Sequence, residues 1–322
     1  MAKRNFELNE SFFDDIDSEE KAYTLGLIYS DGCNDNANNR FIISLNEKDR
    51  EILEVLNKFF FADKPLLYRK KYVYKYGEKI ITSNPQYKLQ VCSKRMSNRL
   101  IELGVMPNKS QLIRFPLWMN TYITRHFIRG YFDGDGCLSC YKNDKKRIIN
   151  KYRILILSNR IFCEEMALFI EGAIGLNPIV RTRKDQNISS LEVNGNNNVN
   201  KFCDFIYRDA NIFIRRKHDI YENLKNELAE KKNRKHSKYD YVSFAKNCNK
   251  WYSYIPLANR THKTVGYFDT ELEAYEALKN TAPVYNEAIA DGKRIKIFHV
   301  DKMTGLGTPE ELIHFEANHE SA

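Results

Sequence analysis

The stretch Leu25-Gly26-Leu27-Ile28-Tyr29-Ser30-Asp31-Gly32-Cys33 returns 104 positions later as Arg129-Gly130-Tyr131-Phe132-Asp133-Gly134-Asp135-Gly136-Cys137. The segments C-terminal to the two copies are alike too. A β-type run (40–45; 153–157) precedes a helical pattern (46–60; 159–174) and then a basic strand region (67–76; 179–184). Leu89-Gln90-Val91 answers Leu191-Glu192-Val193, a second helical pattern comes next (93–103; 197–208), and Lys109 answers Lys217. Self-similarity at a near-constant offset indicates two copies of one unit. Strands outnumber crossover helices, which predicts an α+β fold with open antiparallel sheets.

The repeated stretch has a physical consequence. Residues 22–30 and 126–134 read as short apolar helices ending on Asp31-Gly32 and Asp135-Gly136, where Gly is expected to supply a left-handed cap. Residues four apart share a helix face, so Gly26 with Ser30, and Gly130 with Gly134, give each helix a stripe of small residues. Two such stripes face to face let helix backbones approach closely, and both terminal Asp side chains then emerge side by side. Paired carboxylates at helix C-termini repel each other and the helix dipoles. Divalent cations remove that conflict: Mg²⁺ is held through one or two carboxylates plus substrate phosphate. Such a site activates water and stabilises the leaving oxygen in phosphodiester hydrolysis. A single Asp-Gly would signal only a turn; its duplication after an apolar helix argues for chemistry.

Composition narrows the class. A length of 322 residues predicts about two domains, and 43% hydrophobic residues exclude a wholly disordered chain. Seven scattered Cys read as reduced thiols in a cytosolic setting. No apolar run approaches the roughly 18–20 residues of a membrane span, and the start from Met1 to Glu7 lacks the apolar stretch of a secretory signal. A soluble, cytoplasmic protein with no membrane partner is expected. Residues 22–225 carry 34 basic and 21 acidic side chains, a net of +13 against +9 for the whole chain. The flanks are acidic: residues 1–21 sum to −4 and residues 241–322 to −2. A concentrated positive charge fits a polyanion, since phosphate neutralisation supplies most sequence-independent nucleic-acid affinity.

The paired motif resembles that of the LAGLIDADG homing endonucleases in their single-chain form, over roughly residues 20–225. The resemblance implies two pseudo-symmetric αββαββα halves, 1–120 and 121–225, with the motif helices as their interface and two curved sheets forming a DNA-binding saddle. It implies a monomer that makes a site-specific, metal-dependent double-strand break in DNA at a long recognition site, leaving short 3′ overhangs. Asp31 and Asp135 would be the metal-binding catalytic acids, the carbonyls of Ser30 and Gly134 further ligands, and Mg²⁺ the cofactor, with Mn²⁺ able to substitute. Lys109 and Lys217 would be the basic residues near the scissile phosphate, where an ammonium stabilises transition-state charge. This chain departs from the family pattern at Tyr29, where Asp133 keeps the acid of the other copy, and at Thr24-Leu25. It departs again at Arg129, which is expected to point outward from a buried seam. An intron-splicing maturase or a non-cleaving DNA-binding regulator on the same fold is the competing reading. Both acids favour cleavage, because a pure binder gains nothing from clustered carboxylates facing DNA.

Candidate DNA contacts are long polar side chains on strands, which suit major-groove readout. They are Arg69, Lys71 and Lys75 in the first copy, and Lys142, Lys146, Arg153, Arg181, Arg183 and Lys184 in the second. Residues 226–241 are lysine-rich and read as a basic linker or a frayed helix end. A small βββα module is expected at 242–290, its helix opened by the capping box Thr270/Glu273 and striped by Ala274, Ala277 and Leu278. Lys250-Trp251-Tyr252 and Gly266-Tyr267-Phe268-Asp269-Thr270 resemble the plant ethylene-response-factor type of DNA-binding domain. That resemblance implies a sheet in the major groove, with Arg260 and Lys263 in a basic patch. A small structural module is the alternative, and Trp251 is expected in its core. Residues 291–322, with a short helix expected at 308–311, receive no function. Cys137-x-x-Cys140 lacks the second pair of a zinc site, and His126 reads as a packing or surface residue. The chain lacks a His-Asn ending, so a free-standing or intron-encoded enzyme is expected rather than a protein-splicing element.

Overall fold

The apolar motif helix is α1, Glu19–Asp31, and it leads directly into β1 (Gly32–Asp35) and β2 (Arg40–Asn46). Then come α2 (Arg50–Phe60), β3 (Leu67–Arg69), β4 (Tyr72–Tyr76), β5 (Lys79–Ser83), β6 (Gln86–Cys92) and α3 (Lys94–Glu102). The second half repeats the plan with α4 (Thr121–Asp135), β7 (Gly136–Tyr141), β8 (Lys151–Ser158), α5 (Arg160–Ile174), β9 (Ile179–Thr182), β10 (Ser189–Asn194) and α6 (Asn196–Tyr207). The computed structural model describes residues 6–61, 64–77, 79–107, 109–141, 150–182, 188–232, 237–256 and 262–290. Lys142, Lys146, Arg183, Lys184, Arg260 and the tail from 291 onward lie outside them.

Each half is αββαββα around an antiparallel sheet, and the strand orders correspond: β1-β2-β6-β3 and β7-β8-β10-β9. The register corresponds as well, with Gly32 opposite Ile43 and Gly136 opposite Ile156. The first half differs by an inserted hairpin, β4–β5, between β3 and β6. The expected single strand region at 67–76 is thus two strands in different sheets, divided at Lys70-Lys71. Strand alternation sets the core. Phe41, Ile43 and Leu45 of β2 and Ile154 and Ile156 of β8 are buried on one face, while Arg40, Ile42, Ser44, Arg153 and Leu155 stay partly open on the other. Asparagine caps recur: Asn120 accepts from Ile123 N–H, and Asn159 from Phe162 N–H.

Two expectations about the motif helices are corrected. Gly32 and Gly136 are not left-handed caps; their backbones are extended, at φ −83° and φ −84°. Glycine is needed there because a Cβ would fall within 3.0 Å of the Ile28 backbone or of Phe132. Arg129 does not point outward. It is fully buried and donates to Ile212 O (2.7 Å), Ile206 O (2.7 Å) and Glu19 Oε1 (2.6 Å), and it lies 2.9 Å from His126 Nδ1. Glu19 in turn accepts from the backbone N–H groups of Asn211 and Ile212. A buried guanidinium is tolerated when its hydrogen bonds are filled, and removing one partner of a buried pair is costly. Arg129→Met should therefore lower stability by about 3–5 kcal/mol in urea denaturation; a loss below about 1 kcal/mol would rule out a structural role.

Helix α7 (Arg215–Lys232) comes after α6, so the first part of the expected linker is helical. A second unit begins at Lys232. It holds β11 (Val242–Ala245), β12 (Lys250–Pro256) and β13 (His262–Phe268), antiparallel in that order, with α8 (Glu271–Ala290). Trp251, Val265 and Phe268 pack on the core of Val242, Ile255, Ala274 and Leu278, as expected for Trp251. The capping box closes reciprocally, Glu273 N–H to Thr270 Oγ1 and Thr270 N–H to Glu273 Oε2, both at 3.2 Å. Among the described residues no helix is long and apolar enough to cross a membrane.

Candidate active site

The motif helices meet through their glycines. A Cβ at Gly26 would fall well inside 3.0 Å of the Phe127 carbonyl oxygen, and one at Gly130 equally close to that of Tyr23. At Gly134 the obstacles are Ser30 and, at 2.8 Å, Asp31 Oδ2. The two C-termini therefore converge, and Asp31 and Asp135 stand at neighbouring helix ends, both open to solvent. Their carboxyls are crowded nonetheless. Partial burial pushes Asp31 up to about 6, and the charge of Asp135 adds to the shift. Burial raises Asp135 as well, against the pull of Lys109 and Lys217.

The two lysines answer the helix dipoles. Lys109 opens a 3-10 turn, Lys109–Gln111, and donates to Ser30 O at 2.8 Å. Lys217, near the start of α7, donates to Phe132 O (2.6 Å), Asp133 O (2.7 Å) and Gly136 O (2.5 Å). Ser30 O and Asp133 O are among the carbonyls a helix end leaves open, so each ammonium answers one of them. Both side chains are buried. Burial pulls Lys217 down to about 8, opposed by the charge of Asp133, and pulls Lys109 down, opposed by Asp135 and Asp31.

Tyr29 and Asp133, the position where the copies differ, do matching work with different chemistry. The Tyr29 hydroxyl donates to Leu103 O, ahead of the turn to Lys109. Asp133 accepts from Tyr23 OH (2.7 Å) and from Ile214 N–H (2.8 Å), just before Lys217. Asp133 is fully enclosed and its burial pushes the carboxyl up to about 6. It faces the interior rather than the cleft. Two further residues at this end are not evident in the sequence: Asp49 accepts from Arg216 Nε (2.9 Å) and Nη2 (3.1 Å), tying the first half to α7. Only the adjacency of Arg216 to Lys217 hints at this.

The donor set suits a hard divalent cation. It offers carboxylate oxygens, held close at a mutual cost that a cation would relieve. The Ser30 carbonyl, one of the expected ligands, accepts the Lys109 ammonium. Among the described residues no group of three or more His, Cys, Asp or Glu could hold a metal. A cation held by only two carboxylates keeps coordination positions for water and phosphate. A cavity of about 180 Å³ opens beside Asp135, lined also by Ser30, Lys109, Tyr131 and Ser158. Burial, with the Arg129 charge beside it, pulls His126 down to about 4, and the enclosed ring lies against Arg129 as a packing residue. Cys137 and Cys140 fall on opposite faces of β7 by strand alternation, which separates the thiols.

The candidate DNA contacts divide. Arg69, Lys71 and Lys75 are exposed on the first half, Arg69 lying over the Tyr72 ring at 3.8 Å. Lys263 is exposed on β13. Arg153 and Arg181 are on the outward face of the second sheet, but both pair with Glu192, at 2.8 and 3.4 Å.

No protein-family model matches this chain, and no curated protein matches it. Its structural neighbours among solved structures are LAGLIDADG homing endonucleases. The I-LtrWI homing endonuclease bound to target DNA is 12% identical, with a TM-score of 0.42 over 70% of this chain and 92% of that one. The I-AabMI meganuclease bound to uncleaved DNA is 13% identical, with a TM-score of 0.39 over 65% and 91%. I-SmaMI bound to uncleaved target in the presence of calcium ions is 10% identical, with a TM-score of 0.40 over 66% and 91%.

Proposed function

We propose that this chain is a LAGLIDADG-type homing endonuclease making a site-specific, metal-dependent double-strand break in DNA. One observation carries the reading: the glycine-faced helices deliver Asp31 and Asp135 together, open to solvent, with the Lys109 and Lys217 ammoniums at the same helix ends. A fold built for stability alone has no use for paired carboxylates at dipole ends. A divalent cation at these acids, Mg²⁺ or Mn²⁺, would neutralise phosphate charge and supply an acidified water.

The protein's own groups do the rest. Asp31 and Asp135 would together hold the cation where the scissile phosphates enter. The lysines are anchored on backbone carbonyls, Lys217 through all three of its N–H donors, so they would act on charge developing on the phosphate as fixed positive charges rather than as direct donors. Lys217, at about 8, stays an ammonium at neutral pH. Outside the shared motif the two halves carry different side chains on their strands, so a single chain would read a long, asymmetric target. Arg69, Lys71 and Lys75 would grip one side, and Arg153 and Arg181 the other.

The test is selection of a bound duplex from a randomised library, followed by incubation with Mg²⁺. A double-strand break within the selected duplex is expected. Tight, sequence-specific binding with no break at any Mg²⁺ or Mn²⁺ concentration would establish the maturase or regulator instead.

The reading extends to the C-terminal unit, where exposed Tyr267 on β13, on the sheet face opposite Ile255 and the α8 core, would add DNA contacts as an ethylene-response-factor-like sheet does, with Lys263 at the edge of the other face. Removing residues 242–322 should weaken binding of the selected duplex about tenfold while leaving cleavage at saturating protein intact. Unchanged affinity would make this unit a structural module.

A further inference from the structure

The outward face of the second sheet carries a carboxylate where a phosphate-binding surface would be expected to exclude one. Glu192 stands at the middle of β10, opposite Leu155 of β8 and Ile179 of β9. Arg153 and Arg181 each lie one diagonal step away, opposite Asn194 and Ser190. Arg153 Nη2 reaches Glu192 Oε2 at 2.8 Å, and Arg181 Nε lies 3.4 Å from the same oxygen. Ser190 Oγ donates to Oε1 at 3.3 Å. Glu192 is 6% exposed, whereas the side chains of Arg153 and Arg181 are 38% and 65% exposed. Burial pushes the Glu192 carboxyl up, but the Arg153 hydrogen bond and the charges of both arginines outweigh it and hold it below the usual range.

We propose that Glu192 is a specificity-determining residue: it holds Arg153 and Arg181 as an oriented pair for base edges and keeps them from gripping phosphate. The proposal rests on the reading of this face as a DNA surface. An arginine reads guanine through two parallel hydrogen bonds, which requires a fixed guanidinium plane. Each guanidinium has five N–H donors, so the pairing leaves donors on both to meet a base. A free arginine instead closes on whichever phosphate is nearest, which adds affinity without discrimination. One carboxylate against two guanidiniums lowers the local charge from +2 to +1 and repels a misplaced phosphate, so wrong sequences lose more than right ones. The first sheet shows that the fold itself does not need this carboxylate: its corresponding residue in Leu89-Gln90-Val91 is the neutral Gln90.

The experiment compares the full-length protein with Glu192→Gln, which keeps the shape and removes the charge. Both are used in metal-free buffer to select from a randomised duplex library and to titrate one fixed, unrelated duplex across salt concentrations. The variant should lose discrimination about tenfold at base pairs in one half of the selected site, with the other half intact. It should also bind the unrelated duplex more tightly, with a log–log salt slope steeper by about 1 per released arginine. Arg181→Ala, an exposed change, added to Glu192→Gln should take back part of that steepening, which misfolding would not mimic. A Glu192→Gln logo equal to the wild type in both halves, with an unchanged salt slope, overturns the proposal while leaving the endonuclease reading in place. A wild type that enriches no sequence overturns both.

Discussion

Gly130→Ala should destabilise the N-terminal unit by about 4 kcal/mol or more, one of the largest losses a single methyl group can cause. The added Cβ would fall well inside 3.0 Å of the Tyr23 carbonyl oxygen and 3.0 Å from Leu27 N. Both obstacles are backbone, so no side chain can swing aside. The helices would have to part, and each is buried along the contact from Ala22 to Tyr29 and from Ile123 to Asp133. Interiors packed near crystal density do not absorb such a shift locally. Ordinary overpacking costs about 1–3 kcal/mol, and a rigid obstacle places this change above that range. Gly172→Ala is the matched control. It lies in α5 with nothing within 4 Å of its added Cβ, so it should be neutral or stabilise by up to about 1 kcal/mol. Urea denaturation followed by far-UV circular dichroism measures both. A Gly130→Ala protein as stable as the wild type would mean that α1 and α4 do not pack through their glycine faces.

That packing is legible in the sequence because it rests on local features: the four-residue spacing of small residues, the apolar run and the terminal Asp all sit within one short motif. The strand-helix order is legible from the repeat for the same reason. The features that stay hidden depend on partners far away in sequence. A glycine needed for a left-handed turn and one needed for close approach look identical, so Gly32 and Gly136 read as the former; only Ile28 and Phe132 packed against them decide otherwise. Arg129 in an apolar helix looks misplaced until Glu19, 110 positions away, is seen beside it. The Lys70-Lys71 break that starts the β4–β5 hairpin has no Gly or Pro to mark it. Arg153 and Arg181 read as free cations because β10 separates their strands, and only strand order places Glu192 between them. The repeat pairs Lys109 with Lys217 and the resemblance gives them a role, but that each binds carbonyls at a motif-helix end is a property of the folded backbone.

Asp31→Asn with Asp135→Asn should abolish cleavage and at the same time raise thermal stability at neutral pH. Each single change should cost at least about a hundredfold in cleavage rate, and the two losses should not add, since both acids serve one constellation. The stability gain comes from the pKa. The Asp31 carboxyl ordinarily titrates at 3.8 and is pushed up to about 6 in the fold. Between those values the native state still holds a proton that the unfolded chain has released. Stability therefore falls as pH rises through this window, and the full cost is present at pH 7. A neutral amide carries no such cost, so the melting temperature of the variant should exceed that of the wild type at pH 7, with the difference shrinking toward pH 4. Mg²⁺ or Mn²⁺ should raise the wild-type melting temperature, because a ligand that binds only the native state stabilises it, and chelation should reverse the rise. The double variant should show no such response. Cleavage by the wild type should then climb from acid pH as the cation displaces the Asp31 proton, with a midpoint below the metal-free value of about 6, and fall as Lys217 loses its proton above about 8. A double variant that melts below the wild type at pH 7 and still shifts with Mg²⁺ would place the cation elsewhere, because the carboxylates that repel each other in the absence of metal are the ones that must hold it.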